Sequence, residues 1–264
     1  VYVLTPFQTA TFLLILNLLA ALLLAHAARR LRLGVAVLGV LVTVSVALNR
    51  FDLERSTAAA MFAGLELVEQ TSTPYGNLAV TRQGSQITVF ENGVPIGSSQ
   101  DRIAAEETVH YALAQHPDPG RVLMLSGGLY GAHREIEKHG VQQIDYVELD
   151  PAILELARKV ADIGDRTGLS LVAEDARRFV KRAEGRYDAV LMALPDPATV
   201  QLNRFYTVEF FSEVHRALRP QGVFSFSMIG AENYASPELR LMVSAVHRSL
   251  SSVFPHILAV PGGR

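Results

Sequence analysis

The first fifty residues carry the longest apolar runs of the chain. Residues 3–28 form a run of 26 residues without a formal charge, and residues 33–48 form a second apolar run. Arg29, Arg30 and Arg32 separate the two runs. About 20 apolar residues can cross a bilayer as a helix, and three arginines are costly to bury without partners. We therefore predict two transmembrane helices in residues 1–50, the alternative being a buried helical hairpin.

After Arg50 the apolar runs become shorter and alternate with turn residues. A linker helix is predicted over residues 52–65, where small and apolar side chains share one side. Three strand-like segments follow at residues 65–68, 78–81 and 86–90, separated by turns rich in Gly and Asn. Residues 51–100 are therefore predicted to hold the linker helix and a small antiparallel β domain.

Residues 101–264 alternate between apolar runs of strand length and segments with helical spacing. Strands are predicted at residues 122–125, 144–147, 169–172, 187–192, 222–228 and 256–260. Helices are predicted at residues 101–115, 133–138, 151–161, 205–218 and 236–251, with a further one that opens at Glu174. Such alternation is typical of a largely parallel sheet covered by helices on both faces.

The stretch from Arg121 to Asp150 carries the clearest chemical pattern. Its first strand ends at the turn SGGLYG, residues 126–131, and its second strand ends on Glu148. Gly127, Gly128 and Gly131 allow a sharp turn and a close approach of the backbone to a ligand. Glu148 lies 21 residues beyond Gly127, where an acid can accept hydrogen bonds from both ribose hydroxyls. The pattern predicts a nucleotide site, the alternative being a structural turn with Glu148 at a solvated strand end.

Composition narrows the possible partners. The net charge is −2, which does not favour nucleic acid. There is no cysteine, so disulfides and thiolate metal sites are excluded. The eight histidines lack the spacing of a metal site, and we predict none; His133, His139, His215 and His247 are expected on helix surfaces or ends. The first residue is Val1 rather than a methionine, which is typical of a fragment.

From about Thr71 to Gly263 the chain resembles the spermidine synthases, the polyamine aminopropyltransferases. The resemblance rests on SGGLYG with Arg134-Glu135, on Glu148, on Glu174-Asp175-Ala176, on Asp196-Pro197 and on Phe205-Tyr206. It implies a Rossmann-like, methyltransferase-type parallel sheet over residues 101–264, with a small N-terminal β domain. The preceding apolar helices are similar to those of a bacterial branch in which such a domain is fused to a transporter-like membrane region.

The resemblance also implies a ligand and its binding residues. The implied cofactor is decarboxylated S-adenosylmethionine, or S-adenosylmethionine itself, without a metal. Gly127, Gly128 and Gly131 would approach it, Glu148 would bind the ribose, and Asp175 with Ala176 would bind the adenine. An acceptor amine attacks the carbon beside the sulfonium, so the protein must hold a cation in line and accept a proton. Asp196 is the candidate catalytic acid, the alternative being that it only caps the 195–197 turn.

The chain departs from the family where the polyamine would bind. Leu129 stands in place of the aspartate after the glycines, and Ala193 in place of the first acid of the Asp-x-x-Asp-Pro loop. The Tyr-His-Glu of the family is replaced by Ala105-Glu106-Glu107. These losses argue against ordinary spermidine synthesis. The basic residues Arg177, Arg178, Lys181 and Arg182 are expected on a solvated helix face.

Two classes of function follow. In the first, the domain transfers an aminopropyl or related group to an acceptor other than putrescine, either less cationic or delivered by the membrane. In the second, it is a catalytically inactive, synthase-like domain that serves as a structural or regulatory subunit of a membrane complex. The predicted partners are a small nucleotide, the lipid bilayer, and either membrane proteins or a second copy of the chain.

The predicted location is integral to a membrane, the bacterial inner membrane. The positive-inside rule would place the arginine turn in the cytoplasm and everything after Arg50 outside. A sulfonium nucleotide would be supplied in the cytoplasm, which argues for the opposite orientation. The sequence leaves the side open, with ligand supply favouring the cytoplasm slightly.

Overall fold

The computed structural model describes residues 6–27, 31–50, 53–160, 163–164, 166–230 and 235–261. The chain divides into two compact units, Val1–Ser85 with Val89–Pro95 and Gln86–Thr88 with Ile96–Arg264. The second unit contains every residue of the predicted nucleotide site. The predicted domain boundaries after residues 50 and 100 remain a prediction.

Helix α1 (Pro6–Ala27) lies within the first apolar run, and α2 (Leu31–Arg50) contains the second. Within the part of the chain that is described, no helix is both long and apolar enough to cross a membrane. The prediction of two transmembrane helices is therefore wrong, and so is the inner-membrane location; the bilayer as a partner is not supported. The orientation argument rested on Arg29, Arg30 and Arg32, of which Arg29 and Arg30 lie outside the described residues.

A short helix and a four-stranded sheet follow. Helix α3 (Leu53–Met61) contacts β1 (Glu66–Ser72), which pairs antiparallel with β2 (Asn77–Gln83). The sheet continues through β3 (Gln86–Glu91) to β4 (Val94–Ser98). The sequence did not predict β4, because Pro95 and Gly97 lower the strand propensity of that segment.

The second unit is built on a parallel sheet with the strand order β7-β6-β5-β8-β9. Its strands are β5 (Arg121–Leu125), β6 (Gln143–Glu148), β7 (Leu169–Ala173), β8 (Tyr187–Met192) and β9 (Leu218–Phe226). Its helices are α4 (Arg102–Leu113), α5 (Ala132–Glu137), α6 (Pro151–Val160), α7 (Ala176–Lys181), α8 (Val200–Asn203), α9 (Val208–Ala217) and α10 (Pro237–Ser251). The predicted parallel α/β fold is confirmed.

The central strands of this sheet are buried on both faces. All six residues of β8 are buried, as are Val122 to Leu125 of β5. Alternate residues face opposite sides of a strand, and Leu123, Leu125, Val190 and Met192 belong to one apolar core with residues of α7, α9 and α10. Strands buried on both faces are continuous apolar runs in sequence, which is why these two could be predicted.

Two predicted elements differ from the structure near the C-terminus. The helix predicted over residues 205–218 begins at Val208, where the Thr207 side chain accepts a hydrogen bond from Phe210 N and caps the helix. Phe205 and Tyr206 lie before it, in the connection from α8. Residues 256–260, all described, form no strand. Apolar character alone does not make a strand, because the backbone also needs a paired neighbour.

Candidate functional site

The predicted site residues follow strands that end at one edge of the parallel sheet. The strand order changes direction at β5, since β6 lies on one side of it and β8 on the other. Open α/β sheets bind ligands in the crevice at such a point. Hydrogen bonds just beyond the strands hold the ends level, with Ser126 N donating to Val147 O and Ala193 N donating to Leu125 O, both at 2.9 Å. Ser126, Ala193 and Glu148 are thus brought to the same edge.

The turn after β5 has a left-handed backbone at three positions. The φ angles are 63° at Ser126, 82° at Gly127 and 76° at Gly131. A non-glycine residue in this region is uncommon, so Ser126 carries local backbone strain. Gly128 is needed for a different reason, because a Cβ there would overlap the ring of the fully buried Tyr146. The glycines shape this turn; their contact with a nucleotide remains a prediction.

Glu148 ends β6 and is oriented by three donors. Its Oε2 accepts hydrogen bonds from Ser126 Oγ at 2.8 Å and from Tyr146 OH at 3.1 Å. Its Oε1 accepts from Leu149 N at 2.9 Å. The residue is only 8% exposed. Its carboxylate is therefore held in one orientation by its own neighbours, as a preorganised binding group requires.

Asp175 follows β7 and caps helix α7. Its Oδ1 accepts a hydrogen bond from Arg178 N at 3.0 Å, and its Oδ2 forms an ion pair with the guanidinium of Arg204. The Asp175 side chain is 25% exposed. Ala176, the first residue of α7, is buried. The two donors come from different segments, so the position of the Asp175 carboxylate depends on tertiary contacts.

Arg177 does not lie on a solvated face as predicted. Its Nε donates to Glu213 Oε2 at 2.8 Å and its Nη2 to Glu213 Oε1 at 3.1 Å, while Nη1 donates to Arg204 O at 3.1 Å. Glu213 is 7% exposed. The hydrogen bonds to Glu213 raise the pKa of Arg177, and burial opposes this effect. The prediction failed because Glu213 belongs to α9, which is distant in sequence.

Asp196 joins two loops at the same edge of the sheet. Its Oδ1 accepts a hydrogen bond from Ile229 N at 3.1 Å, beyond the end of β9. Tyr206 OH donates to Pro195 O at 3.0 Å and so fixes the same loop. Burial, and then the nearby charge of Asp196, raise the pKa of Tyr206. Asp196 therefore has a structural contact; its catalytic role remains a prediction.

The two replaced acid positions differ in their surroundings. Leu129 is 2% exposed. A Cβ added at Gly97 would lie 2.5 Å from the Cβ of Leu129, so the two residues are closely packed. Ala193 is half-buried beside the end of β5. The other acids near the start of α4 have partners: Asp101 caps the helix through Ala104 N, and Glu106 pairs with Arg102 at 2.8 Å.

A cluster of histidines lies between α4 and α5. His110 Nδ1 is 2.8 Å from His139 Nε2, and His110 Nε2 is 3.0 Å from Glu135 Oε2. Lys138 also pairs with Glu135, and its hydrogen bond lowers the pKa of that carboxyl group. His133 lies in the first turn of α5, at a helix end, and is fully buried rather than on a helix surface. Among the described residues, no three His, Asp or Glu side chains are grouped so as to hold a metal ion.

The donor and acceptor groups at this edge fit the nucleoside part of the implied ligand. Ionised carboxylates only accept hydrogen bonds, and ribose hydroxyls and an adenine amino group can donate them. Glu148 and Asp175 follow adjacent strands, because β6 and β7 pair with Glu148 opposite Ala173. The arrangement can therefore present two acceptors to one nucleoside.

The fold and this edge define a Rossmann-like α/β domain of the spermidine synthase type. The profile of the spermine/spermidine synthase domain matches residues 102–261, and the chain belongs to this family. The chain is 28% identical over 208 residues to polyamine aminopropyltransferase 2 of Aquifex aeolicus, covering 76% of the chain and 42% of that protein. It is 30% identical over 237 residues to a polyamine aminopropyltransferase of Mycobacterium tuberculosis, covering 86% of the chain and 44% of that protein. The chain spans less than half the length of these relatives.

Solved structures support the fold. A spermidine synthase in complex with the transition-state analogue AdoDATO superposes with a TM-score of 0.63 at 22% identity, covering 72% of this chain and 66% of the other. Spermidine synthase from Thermotoga maritima superposes with a TM-score of 0.61 at 21% identity, covering 72% of this chain and 65% of the other. At these identities the similarity establishes the fold.

Sequence reasoning missed the residues that position the candidate acids. Tyr146 could have been found, because it lies two residues before Glu148 and therefore on the same face of β6. Ser126 stands inside the glycine turn and could have been found by its place at a strand end. Arg204 gave no signal, because it lies 29 residues beyond Asp175 in the sequence.

Proposed function

We propose that the second unit binds a sulfonium nucleotide, either decarboxylated S-adenosylmethionine or S-adenosylmethionine, at the carboxyl edge of its parallel sheet. Glu148 accepts hydrogen bonds from the ribose hydroxyls, and Asp175 accepts one from the adenine amino group. The observation that carries this proposal is the preorganised carboxylate of Glu148, held by Ser126, Tyr146 and Leu149 at the end of β6. The family of the chain and the analogue bound by a structural relative support it.

We further propose that the reaction is transfer of an aminopropyl or related group to an acceptor other than putrescine. The nucleotide supplies a carbon activated by an adjacent sulfonium. In the transfer, a bond forms between the acceptor nitrogen and that carbon, the carbon–sulfur bond breaks, and its electron pair stays on sulfur in the neutral thioether. Asp196 is the acid proposed to take the proton released by the nitrogen.

Leu129 and Ala193 support the exclusion of putrescine. A diammonium acceptor needs carboxylates around it, because an unpaired charge is costly to bury. The Leu129 side chain is apolar and buried, and the Ala193 side chain is a methyl group without a polar atom. The acceptor is therefore expected to carry fewer positive charges than a diamine.

Calorimetry with the full chain tests the binding proposal. S-adenosylmethionine, its decarboxylated form and methylthioadenosine are titrated separately, and binding of at least one is expected. No binding of any of the three would contradict the nucleotide site. Turnover is then followed as methylthioadenosine release from decarboxylated S-adenosylmethionine with putrescine and with monoamines. Putrescine turnover at ordinary enzyme rates would contradict the proposed acceptor.

A non-catalytic role is the second candidate, and a specific observation favours it. Each of the three proposed acids already binds a protein donor: Ser126 Oγ contacts Glu148, Arg204 contacts Asp175, and Ile229 N contacts Asp196. A domain of this kind could bind the nucleoside as a regulatory or structural signal without turnover. Nucleotide binding with no methylthioadenosine release across a panel of amines would favour this role over transfer.

A further inference from the structure

The Asp175 carboxylate has a partner that no sequence pattern indicated. Arg204 lies in the connection between α8 and α9, and its Nη2 contacts Asp175 Oδ2. Its Nε donates to Gln201 O at 3.0 Å, and its guanidinium carbon lies 4.5 Å from the centroid of the Phe205 ring. Phe205 is 4% exposed. The guanidinium is therefore held by a carboxylate, a carbonyl and an aromatic face at once.

The backbone that carries Arg204 is fixed from the other side. Arg177 donates hydrogen bonds from Nε and Nη2 to Glu213 and from Nη1 to Arg204 O, the last at 3.1 Å. Planar, two-pronged contacts of this kind are stronger and more directional than single hydrogen bonds. A series of charged contacts thus links α9 to the start of α7, running from Glu213 through Arg177 and Arg204 to Asp175.

These contacts leave the Asp175 carboxylate little rotational freedom. Arg178 N fixes Oδ1 at 3.0 Å and Arg204 fixes Oδ2. A carboxylate has about four lone-pair sites and only accepts hydrogen bonds when ionised. An acceptor held in this way can receive an exocyclic amino group, whereas a 6-oxo group at the same place would bring two acceptors together.

We propose that Arg204 is a positioning residue that makes this site select an amino-purine nucleoside over its 6-oxo counterpart. The proposal rests on the nucleoside site proposed above. Arg204 acts through Asp175: it holds Oδ2 so that the carboxylate faces the base edge in one orientation. Without it, Asp175 keeps the capping contact of Oδ1 to Arg178 N, and Oδ2 is no longer held by the guanidinium.

The test compares 5′-methylthioadenosine with 5′-methylthioinosine by calorimetry on the full chain. The wild type is expected to prefer the amino form. Arg204→Ala should weaken binding of the amino form by about 3- to 10-fold, the size of one lost hydrogen bond, and leave the oxo form nearly unchanged. Arg204→Lys, which restores the charge but not the planar contacts, should give an intermediate ratio. Asp175→Asn should reduce or reverse the preference, because its amide can donate.

The matched control is Arg158→Ala on α6, which also removes an arginine from an ion pair, with Glu155, and should leave the ratio unchanged. Thermal unfolding of each variant shows whether it folds. If Arg204→Ala does not fold, Arg204→Gln and Arg204→Lys decide. Wild-type binding with an unaltered ratio in the folded Arg204 variants overturns this inference and leaves the proposed function standing. No binding to the wild type overturns both.

Discussion

At the scale of single residues, the three candidate acids Glu148, Asp175 and Asp196 lie in three different environments, which the sequence pattern does not distinguish. Glu148 is nearly buried and held by side-chain hydroxyls, whereas Asp175 is more exposed and held by a guanidinium. Asp196 accepts from a main-chain amide of another loop. A hydroxyl donor can turn toward a ligand at little cost, whereas a fixed amide cannot. Glu148 is therefore the acid best prepared for binding.

Replacing Glu148 should weaken nucleoside binding more than replacing Asp175 or Asp196. Glu148→Ala removes a charged acceptor, and charge-assisted hydrogen bonds contribute about 1.5–3 kcal/mol, so affinity for methylthioadenosine should fall roughly 10- to 150-fold. Calorimetry on the full chain measures this. Glu184→Ala, at an exposed position, is the control and should bind as the wild type does. Equal affinities of the Glu148 variant and the wild type would remove the ribose role.

The histidine cluster predicts a loss of stability in mild acid. Burial, and then the nearby charge of His110, lower the pKa of His139 below its ordinary value of 6.5, with Glu135 opposing. A base with a lowered folded pKa binds protons more readily when unfolded, so its stabilisation is complete above 6.5 and is lost as the pH falls through the folded pKa. The free energy of unfolding should therefore fall between pH 7.5 and pH 5.5.

Urea unfolding of two variants isolates this effect. His139→Gln keeps a hydrogen-bond acceptor for His110 but does not titrate, so its stability should change less over the same pH interval. His256→Gln, at an exposed position, should behave as the wild type does. The same pH dependence in His139→Gln and the wild type would show that His139 is not the responsible group.

At the scale of elements, the turn from β5 toward α5 depends on side-chain packing beneath it. Gly127 and Gly131 adopt positive φ angles of 82° and 76°, which glycine accepts at no steric cost. Gly128 has no such backbone requirement, and the ring of Tyr146 occupies the space that a Cβ would need. The same ring also orients Glu148 through its hydroxyl. The shape of the turn and the position of the acid are therefore coupled through Tyr146.

Gly128→Ala should destabilise the second unit and disturb the site together. Overpacking against a buried ring costs about 1–3 kcal/mol, and movement of Tyr146 should also weaken nucleoside binding. Gly120→Ala is a matched control, because a Cβ there would meet Asp188 Oδ2 at an ordinary 3.6 Å. Urea unfolding measures the first effect and calorimetry the second. Stability unchanged by Gly128→Ala would mean that the ring of Tyr146 can move aside freely.

At the scale of the whole second unit, the acids of the candidate site and the structural acids lie at opposite ends of the parallel sheet. Asp188, near the start of β8, accepts from Gly120 N at 3.0 Å and Arg121 N at 2.8 Å, and pairs with Arg219 at 3.0 Å. Asp145 at the same end accepts from Tyr187 OH at 2.7 Å. These contacts tie β5, β6, β8 and β9 together away from the candidate site. The carboxyl edge can therefore carry binding groups while the amino end secures the fold.

Asp188→Ala should destabilise the sheet without altering the binding groups. Two main-chain amides lose their acceptor, which costs about 2–4 kcal/mol, whereas Asp118→Ala at an exposed loop should cost little. Burial opposes ionisation of Asp188, but the hydrogen bonds from Arg121 N and Arg219 outweigh it and lower its pKa. Its contribution is thus present above the ordinary value of 3.8 and lost as the pH falls through the folded pKa. Urea unfolding at pH 7 measures the loss, and a cost as small as that of Asp118→Ala would refute it.

Sequence alone determined the features that depend on local order. The apolar runs at residues 122–125 and 187–192 predicted buried strands, since a strand covered on both faces has no polar side. Asp101 was recognised as a helix cap, because a capping side chain contacts an amide only three residues away. The family could be recognised because its motifs are short and contiguous. The membrane prediction failed, because no helix in the described part of the chain is both long and apolar enough to cross a membrane.

Only the tertiary structure decided what surrounds each acid. Arg204 meets Asp175 because the connection between α8 and α9 returns to the start of α7, a contact between residues 29 positions apart. Arg177 pairs with Glu213 at a separation of 36 residues, so it is partly buried rather than on the solvated face predicted for it. Residues 256–260 are apolar yet form no strand, because pairing requires a neighbour that sequence pattern cannot supply. Contacts between residues distant in sequence depend on how the helices and strands pack. Local sequence patterns therefore do not predict them.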